Sequence, residues 1–181
     1  MLSKHTVWLA AQKPPCYNVS MGEVLTRRIK QKADFESPAQ EAMLNLLVAG
    51  DYIHRRLERV CARFGLTRPQ YNVLRMLRGA HPQGHPRGEI ASRMLTRSPD
   101  VTRLVDRLEE QGLVERDRVR EDRRLSITRV TEKGLRLLEE MQPYIAEEQR
   151  RFANTVSRSD CIELSRICES IYEDEENPPP A

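Results

Sequence analysis

Apolar residues recur three and four positions apart along most of this chain, and short polar or Gly/Pro-containing stretches separate the runs. That period marks amphipathic helices rather than strands. The first long run opens at Ser37-Pro38-Ala39-Gln40, with a hydroxyl at the N-cap, Pro at the first helical position and Gln where a capping box needs it. Its stripe is Met43, Leu46, Leu47, Ile53, Leu57, Val60 and Phe64, and Gly65 ends it. Thr67-Arg68-Pro69-Gln70 repeats the start signal for a short helix carrying Tyr71, Leu74 and Leu77 and stopping near Gly79. The breaker-rich stretch His81–Arg87 (HPQGHPR) reads as a loop. Gly88–Leu95 reads as a third short helix.

Ser98-Pro99-Asp100 predicts a further helix start, with Ser98 as the cap. Val101, Leu104, Val105 and Leu108 form its apolar face, and Gly112 stops it. The pattern then changes. Leu113–Arg118 and Leu125–Val130 read as two strands joined by the polar turn Val119–Arg124. Thr131 caps another long helix whose stripe leads to Pro143, which is expected to bend or interrupt it. A last helix begins near Ser157, with Cys161, Leu164, Cys168 and Ile171 as its stripe. Residues 1–36 show no clear period and read as a loosely ordered extension, and the acidic, Pro-rich tail 173–181 as disordered.

The predicted fold is mainly α with a small β-hairpin wing: a winged helix-turn-helix over 66–130, flanked by helices at 37–65 and 131–172. The order helix, short helix, helix, hairpin carries that assignment. A major groove admits one helix. The Ser98–Gln111 helix keeps one face for its own core and turns Ser98, Thr102, Arg103, Asp106 and Arg107 outward.

Charge sharpens the picture. The net formal charge is only +3, but residues 51–97 hold ten Arg against three acidic residues, and 131–181 hold six bases against twelve acids. A basic middle points to a polyanionic partner. Of the 30 basic residues 25 are Arg, whose planar fork fits phosphates and guanine edges. Arg116, Arg118, Arg120, Arg123 and Arg124 crowd the hairpin, where such side chains enter a minor groove or grip phosphates, and Asp122 stands two residues before Arg124, placed to hold a guanidinium. Two alternatives stay open for Arg103 and Arg107: contact with DNA, or ion pairs with Asp100, Asp106 or Glu110 along their own helix. Arg116, early in its strand, is also a candidate for a purely structural part.

Other chemistry finds little support. No Ser/His/Asp set, phosphate-binding Gly loop or HExxH occurs, so no catalytic residue and no cofactor are assigned. The four cysteines, Cys16, Cys61, Cys161 and Cys168, form no CxxC, and His81 and His85 stand without the further ligands a metal needs, so no metal is expected. Reduced thiols and the lack of a long apolar run fit a cytoplasmic chain with no membrane partner.

The stretches GLTRPQYNVLRML and GEIASRMLTRSPDVTRLVDRLEEQGLVERDRVREDRRLSITRVTEKG closely resemble the MarR family of bacterial regulators. The resemblance covers roughly residues 37–172 and is sharpest over 65–134. It implies a homodimer whose first and last helices interlock, with recognition helices in successive major grooves of a pseudo-palindrome and wings in the flanking minor grooves of double-stranded DNA. Carried over by position, Ser98, Thr102 and Arg103 belong to the recognition helix, and Arg118, Asp122, Arg123 and Arg124 to the wing. The resemblance further implies a repressor released by a small effector, a phenol or aromatic acid, bound between the dimer helices and the winged domain. His54, Tyr71, Asn72, Arg75 and Met76 are the candidates to line that pocket, with ordinary core and surface roles as the alternative for each. A thiol-based redox regulator and a protein-interaction module without DNA binding are the competing functions.

Overall fold

A computed structural model of the chain describes residues 22–94, 100–117 and 126–176, the last three without side-chain detail. The chain divides into two compact units, 1–52 and 53–181. The residue order of the elements is α1 (Glu23–Ile29), α2 (Pro38–Arg63), α3 (Arg68–Gly79), β1 (His85–Pro86), α4 (Arg87–Ser92), α5 (Val101–Glu110), β2 (Val114–Arg116), β3 (Ile127–Val130), α6 (Glu132–Thr155) and α7 (Arg158–Glu176).

In the first unit the N-terminal pattern predicted no element, yet Glu23–Ile29 is helical and buries Leu25. The start of α2 follows its sequence signal: the Gln40 amide donates to Ser37 Oγ at 3.2 Å and the Glu36 amide to Gln40 Oε1 at 2.8 Å. Met43 and Leu47 on this helix are exposed, at 57% and 62%.

The second unit contains the winged helix. Thr67 and Gln70 form the predicted capping box at α3, which satisfies amides that the first turn cannot pair internally. Leu74 and Leu77 of α3, Ile90 of α4 and Leu108 of α5 are fully buried in one cluster with Val114, Val130, Leu138 and Met141. Three short helices and a sheet thus share one core.

That sheet has three strands, not the two of the predicted hairpin. The order is β1-β3-β2, all antiparallel, with His85 opposite Thr128 and Val114 opposite Val130. His81–Arg87 was expected to be wholly loop. Pro86 is tolerated because β1 is an edge strand, where a missing N–H breaks no ladder. Gly84 makes the approach feasible: its φ is +76° and a Cβ there would lie 2.3 Å from the Thr128 carbonyl oxygen. The two predicted strands are also shorter than expected among the described residues, at Val114–Arg116 and Ile127–Val130.

Thr131 caps α6 as predicted, accepting from the Gly134 amide at 3.1 Å. The interruption expected at Pro143 does not occur, since α6 runs unbroken from Glu132 to Thr155. Proline removes one backbone hydrogen bond, whereas Leu138, Met141 and Ile145 bury the turns on either side. On α7, capped by Ser157 at the Asp160 amide (3.2 Å), none of the residues described with side chains is buried. Its helix continues to Glu176, four residues into the stretch read as a disordered tail.

Candidate nucleic-acid interface

Helix α5 carries the predicted recognition surface. Its N-cap is Asp100, not Ser98: the Asp100 carboxylate accepts from the Arg103 amide at 3.0 Å, and the helix starts at Val101. Asp is as effective a cap as Ser and adds a charge favourable to the helix N-terminus, so the later of two adjacent start signals prevails. Val101, Val105 and Leu108 face the core. Thr102 and Asp106 are half-buried at its margin, and Arg103 and Arg107 are exposed.

The two arginines differ in their partners. Arg103 Nε lies 3.0 Å from Asp100 Oδ2, an ion pair within the helix, with the Arg side chain still 80% exposed. Such a surface pair holds its partner weakly, so Arg103 is available to exchange Asp100 for a phosphate. Arg107 has no side-chain partner among the described residues.

Arg116 is structural. From β2 it donates to Asp106 of α5, and its Nε lies 3.4 Å from Glu109 Oε2 without hydrogen-bond geometry. One guanidinium thereby ties α5 to β2 and covers two carboxylates on α5. At the other strand Arg129 pairs with Asp117. Ser98 and the wing residues Arg118, Arg120, Asp122, Arg123 and Arg124 lie outside the described residues.

Sequence reasoning overlooked Arg87. It is the first residue of α4 and its Nη1 donates to Thr102 Oγ1 at 3.2 Å, bringing a cation from the preceding helix onto the outward side of α5. Its proximity to Thr102 follows from the α4–α5 packing and leaves no periodic signal.

The five candidate effector residues fall into two groups. Arg75 Nη2 donates to Asn72 Oδ1 at 3.3 Å, and the buried Asn72 amide donates to Met94 Sδ at 3.9 Å. Tyr71 and Met76, on the same helix, are half-buried against the core, and burial raises the Tyr71 hydroxyl above its ordinary pKa. His54 is elsewhere engaged, its Nε2 accepting from Arg68 Nε at 3.0 Å. A concavity of about 370 Å³ in the same unit is lined by other residues, Phe64, Leu113, Lys133, Arg136 and Leu137 among them.

Burial pushes the Cys61 thiol up to about 11, despite the opposing charge of Arg68. A thiol so held is protonated and inert at neutral pH. Cys161 and Cys168 are half-buried, and Cys16 lies outside the described residues. Among the described residues no three His, Cys, Asp or Glu side chains gather to hold a metal ion, and no helix is long and apolar enough to cross a membrane.

Comparison with known proteins points to one family. The family model described as MarR family matches residues 64–125. The chain is 31% identical over 103 residues to the HTH-type transcriptional regulator MhqR of Bacillus subtilis, covering 55% of this chain and 70% of that protein. It is 28% identical over 119 residues to the HTH-type transcriptional repressor IacR of Pseudomonas putida, covering 65% and 70%. Among solved structures it resembles a MarR transcription factor from Planctomyces limnophilus, at 37% identity and a TM-score of 0.60, over 75% of this chain and 98% of that one.

Proposed function

Because the chain belongs to the MarR family of DNA-binding winged-helix transcription regulators, we propose that it acts as a homodimeric repressor in the cytoplasm. Its target is a pseudo-palindromic operator, and a small aromatic effector releases it. The observation that carries this is α5 itself, which buries Val101, Val105 and Leu108 and turns Thr102, Arg103 and Arg107 outward. Two such helices in a dimer read half-sites about one helical turn of DNA apart. The wing arginines Arg118, Arg120, Arg123 and Arg124, with Asp122, add minor-groove and phosphate contacts, and Ser98 adds a hydroxyl before α5.

Dimerisation is supported by apolar side chains that α7 leaves uncovered, with Ile162 62% and Ile171 58% exposed. Such surface is costly to leave in water, and a second copy removes it. Repression fits a dimer that occupies a promoter, and IacR carries that activity in its name. For the effector, Arg75, held by Asn72 and next to Tyr71 on α3, supplies a cation suited to a carboxylate beside an aromatic ring.

The test is a titration of the purified chain against a duplex from upstream of its own gene and a scrambled duplex, at two salt concentrations. The expected result is a preference for the upstream duplex of about a thousandfold. Equal binding to both, with steep loss in salt, leaves only a basic surface and overturns the proposal. Substituting Arg123 and Arg124 by Ala is expected to weaken binding; unchanged affinity rejects the wing contacts.

A further inference from the structure

Four arginines lie on the surface formed by α4 and α5, and they are not equivalent. Arg93 is bound by Glu89, with Nε 2.6 Å from Oε1, and Arg103 is paired with Asp100. Arg87 and Arg107 have no carboxylate partner among the described residues. Arg107 projects from α5 itself. Arg87 reaches that helix from α4, and among the described residues its one side-chain hydrogen bond is to the hydroxyl of Thr102.

That contact constrains the hydroxyl. A threonine hydroxyl has two acceptor positions and one hydrogen to donate. Arg87 occupies an acceptor position, since its N–H is the donor. The hydroxyl hydrogen therefore points away from the guanidinium, and it has no acceptor among the described residues. Arg87 is itself exposed and retains further N–H groups. A planar guanidinium bound through one N–H still offers its other edge to a phosphate.

Resting on the DNA-binding reading above, we infer that Arg87 is a specificity-determining residue of this regulator. It clamps a DNA phosphate beside α5 and at the same time holds the Thr102 hydroxyl as a donor toward the groove. Thr102 then selects a base edge that accepts a hydrogen bond, guanine O6 or N7, adenine N7 or thymine O4, over the amino group of cytosine. The two residues act as one unit, although 15 positions separate them.

The test uses the full chain, the upstream duplex and its scrambled control, and the variants Arg87→Ala, Arg87→Lys, Thr102→Val and the double variant Arg87→Ala/Thr102→Val. Thermal melts verify that each folds as the wild type does. Arg87→Ala is expected to weaken binding to the scrambled duplex by about tenfold and to the upstream duplex by more, so that the preference falls, and to reduce the salt slope by about one. Arg87→Lys keeps the charge and restores that slope. It does not restore the preference for the upstream duplex, because an ammonium cannot serve a phosphate and hold the hydroxyl in the same fork geometry. In the double variant the loss of preference is expected to be smaller than the two single losses combined, as for residues sharing one contact.

A specific wild type with an Arg87→Ala variant of unchanged affinity and salt slope overturns the inference and leaves the DNA-binding reading standing. Additive losses in the double variant overturn the orientation of Thr102 by Arg87. A wild type that binds both duplexes alike overturns the inference together with the reading beneath it.

Discussion

Helices α5 and α7 lie in the same unit and carry apolar residues at the same three- and four-residue spacing. On α5 the stripe is covered, with Val105 3% and Leu108 0% exposed. On α7 Leu164 is 39% and Ile171 58% exposed. Periodicity specifies that a segment is helical and which face is apolar. It does not specify what lies against that face. The α5 stripe finds α3, α4 and β2 within its own chain, whereas the α7 stripe awaits a partner, which the proposed dimer supplies. An apolar stripe is thus a statement about fold in one helix and, on the proposed dimer, about assembly in the other.

The comparison breaks most easily at its buried end. Leu108→Ala is expected to lower unfolding free energy by about 2–5 kcal/mol, from lost transfer energy and the cavity left behind, as measured by urea denaturation. The matching change on α7, Leu164→Glu with Ile171→Glu, is expected to leave the far-UV spectrum of the chain unchanged and to shift sedimentation from dimer to monomer. A cooperative loss of structure in the α7 variant, or a negligible effect of Leu108→Ala, abolishes the distinction.

A smaller effect is expected where α5 meets β2. Arg116→Ala is expected to cost about 1 kcal/mol of stability, since its carboxylate partners are partly solvated, and to weaken DNA binding by exposing Asp106 and Glu109 toward the phosphates. If affinity is unchanged at low salt, those carboxylates do not face the DNA.

Glu148 gives a pH-dependent test of how α6 is held to α2. Arg56 donates to both of its carboxylate oxygens, at 2.5 and 3.0 Å, in a pair whose side chains are 20% and 17% exposed. The hydrogen bonds to Arg56 hold the Glu148 carboxyl below its ordinary value of 4.5. A depressed folded-state pKa contributes stability that is fully present above the unfolded value and is lost as pH falls through the folded one. Glu148→Gln is therefore expected to be less stable than the wild type at pH 7, with the difference closing as pH falls below 4.5. A difference independent of pH means that packing, not charge, is lost.

The smallest effect expected is at Cys61. With its thiol held near 11, it should escape a disulfide reagent at pH 8 until the chain is unfolded. Rapid labelling of Cys61 in the folded protein revives a thiol-based switch at this position.

Much of this molecule was legible from residue order. Local chemistry settled the cap at Ser37, the capping box at Thr67, the cap at Thr131 and the apolar face of α5, because each depends on residues within one or two turns. The same locality misled at Ser98, where Asp100 competes two positions later, and at Pro143, where burial on the opposite face sustains the helix. It passed over β1, whose two residues become a strand only because Gly84 lets the backbone approach Thr128. Long-range approach also decided the interface. The sequence by itself determined which helix presents Thr102, Arg103 and Arg107. Only the tertiary structure turned Arg116 inward to Asp106 and brought Arg87 to Thr102, since contacts between distant residues depend on how elements pack and leave no period along the chain.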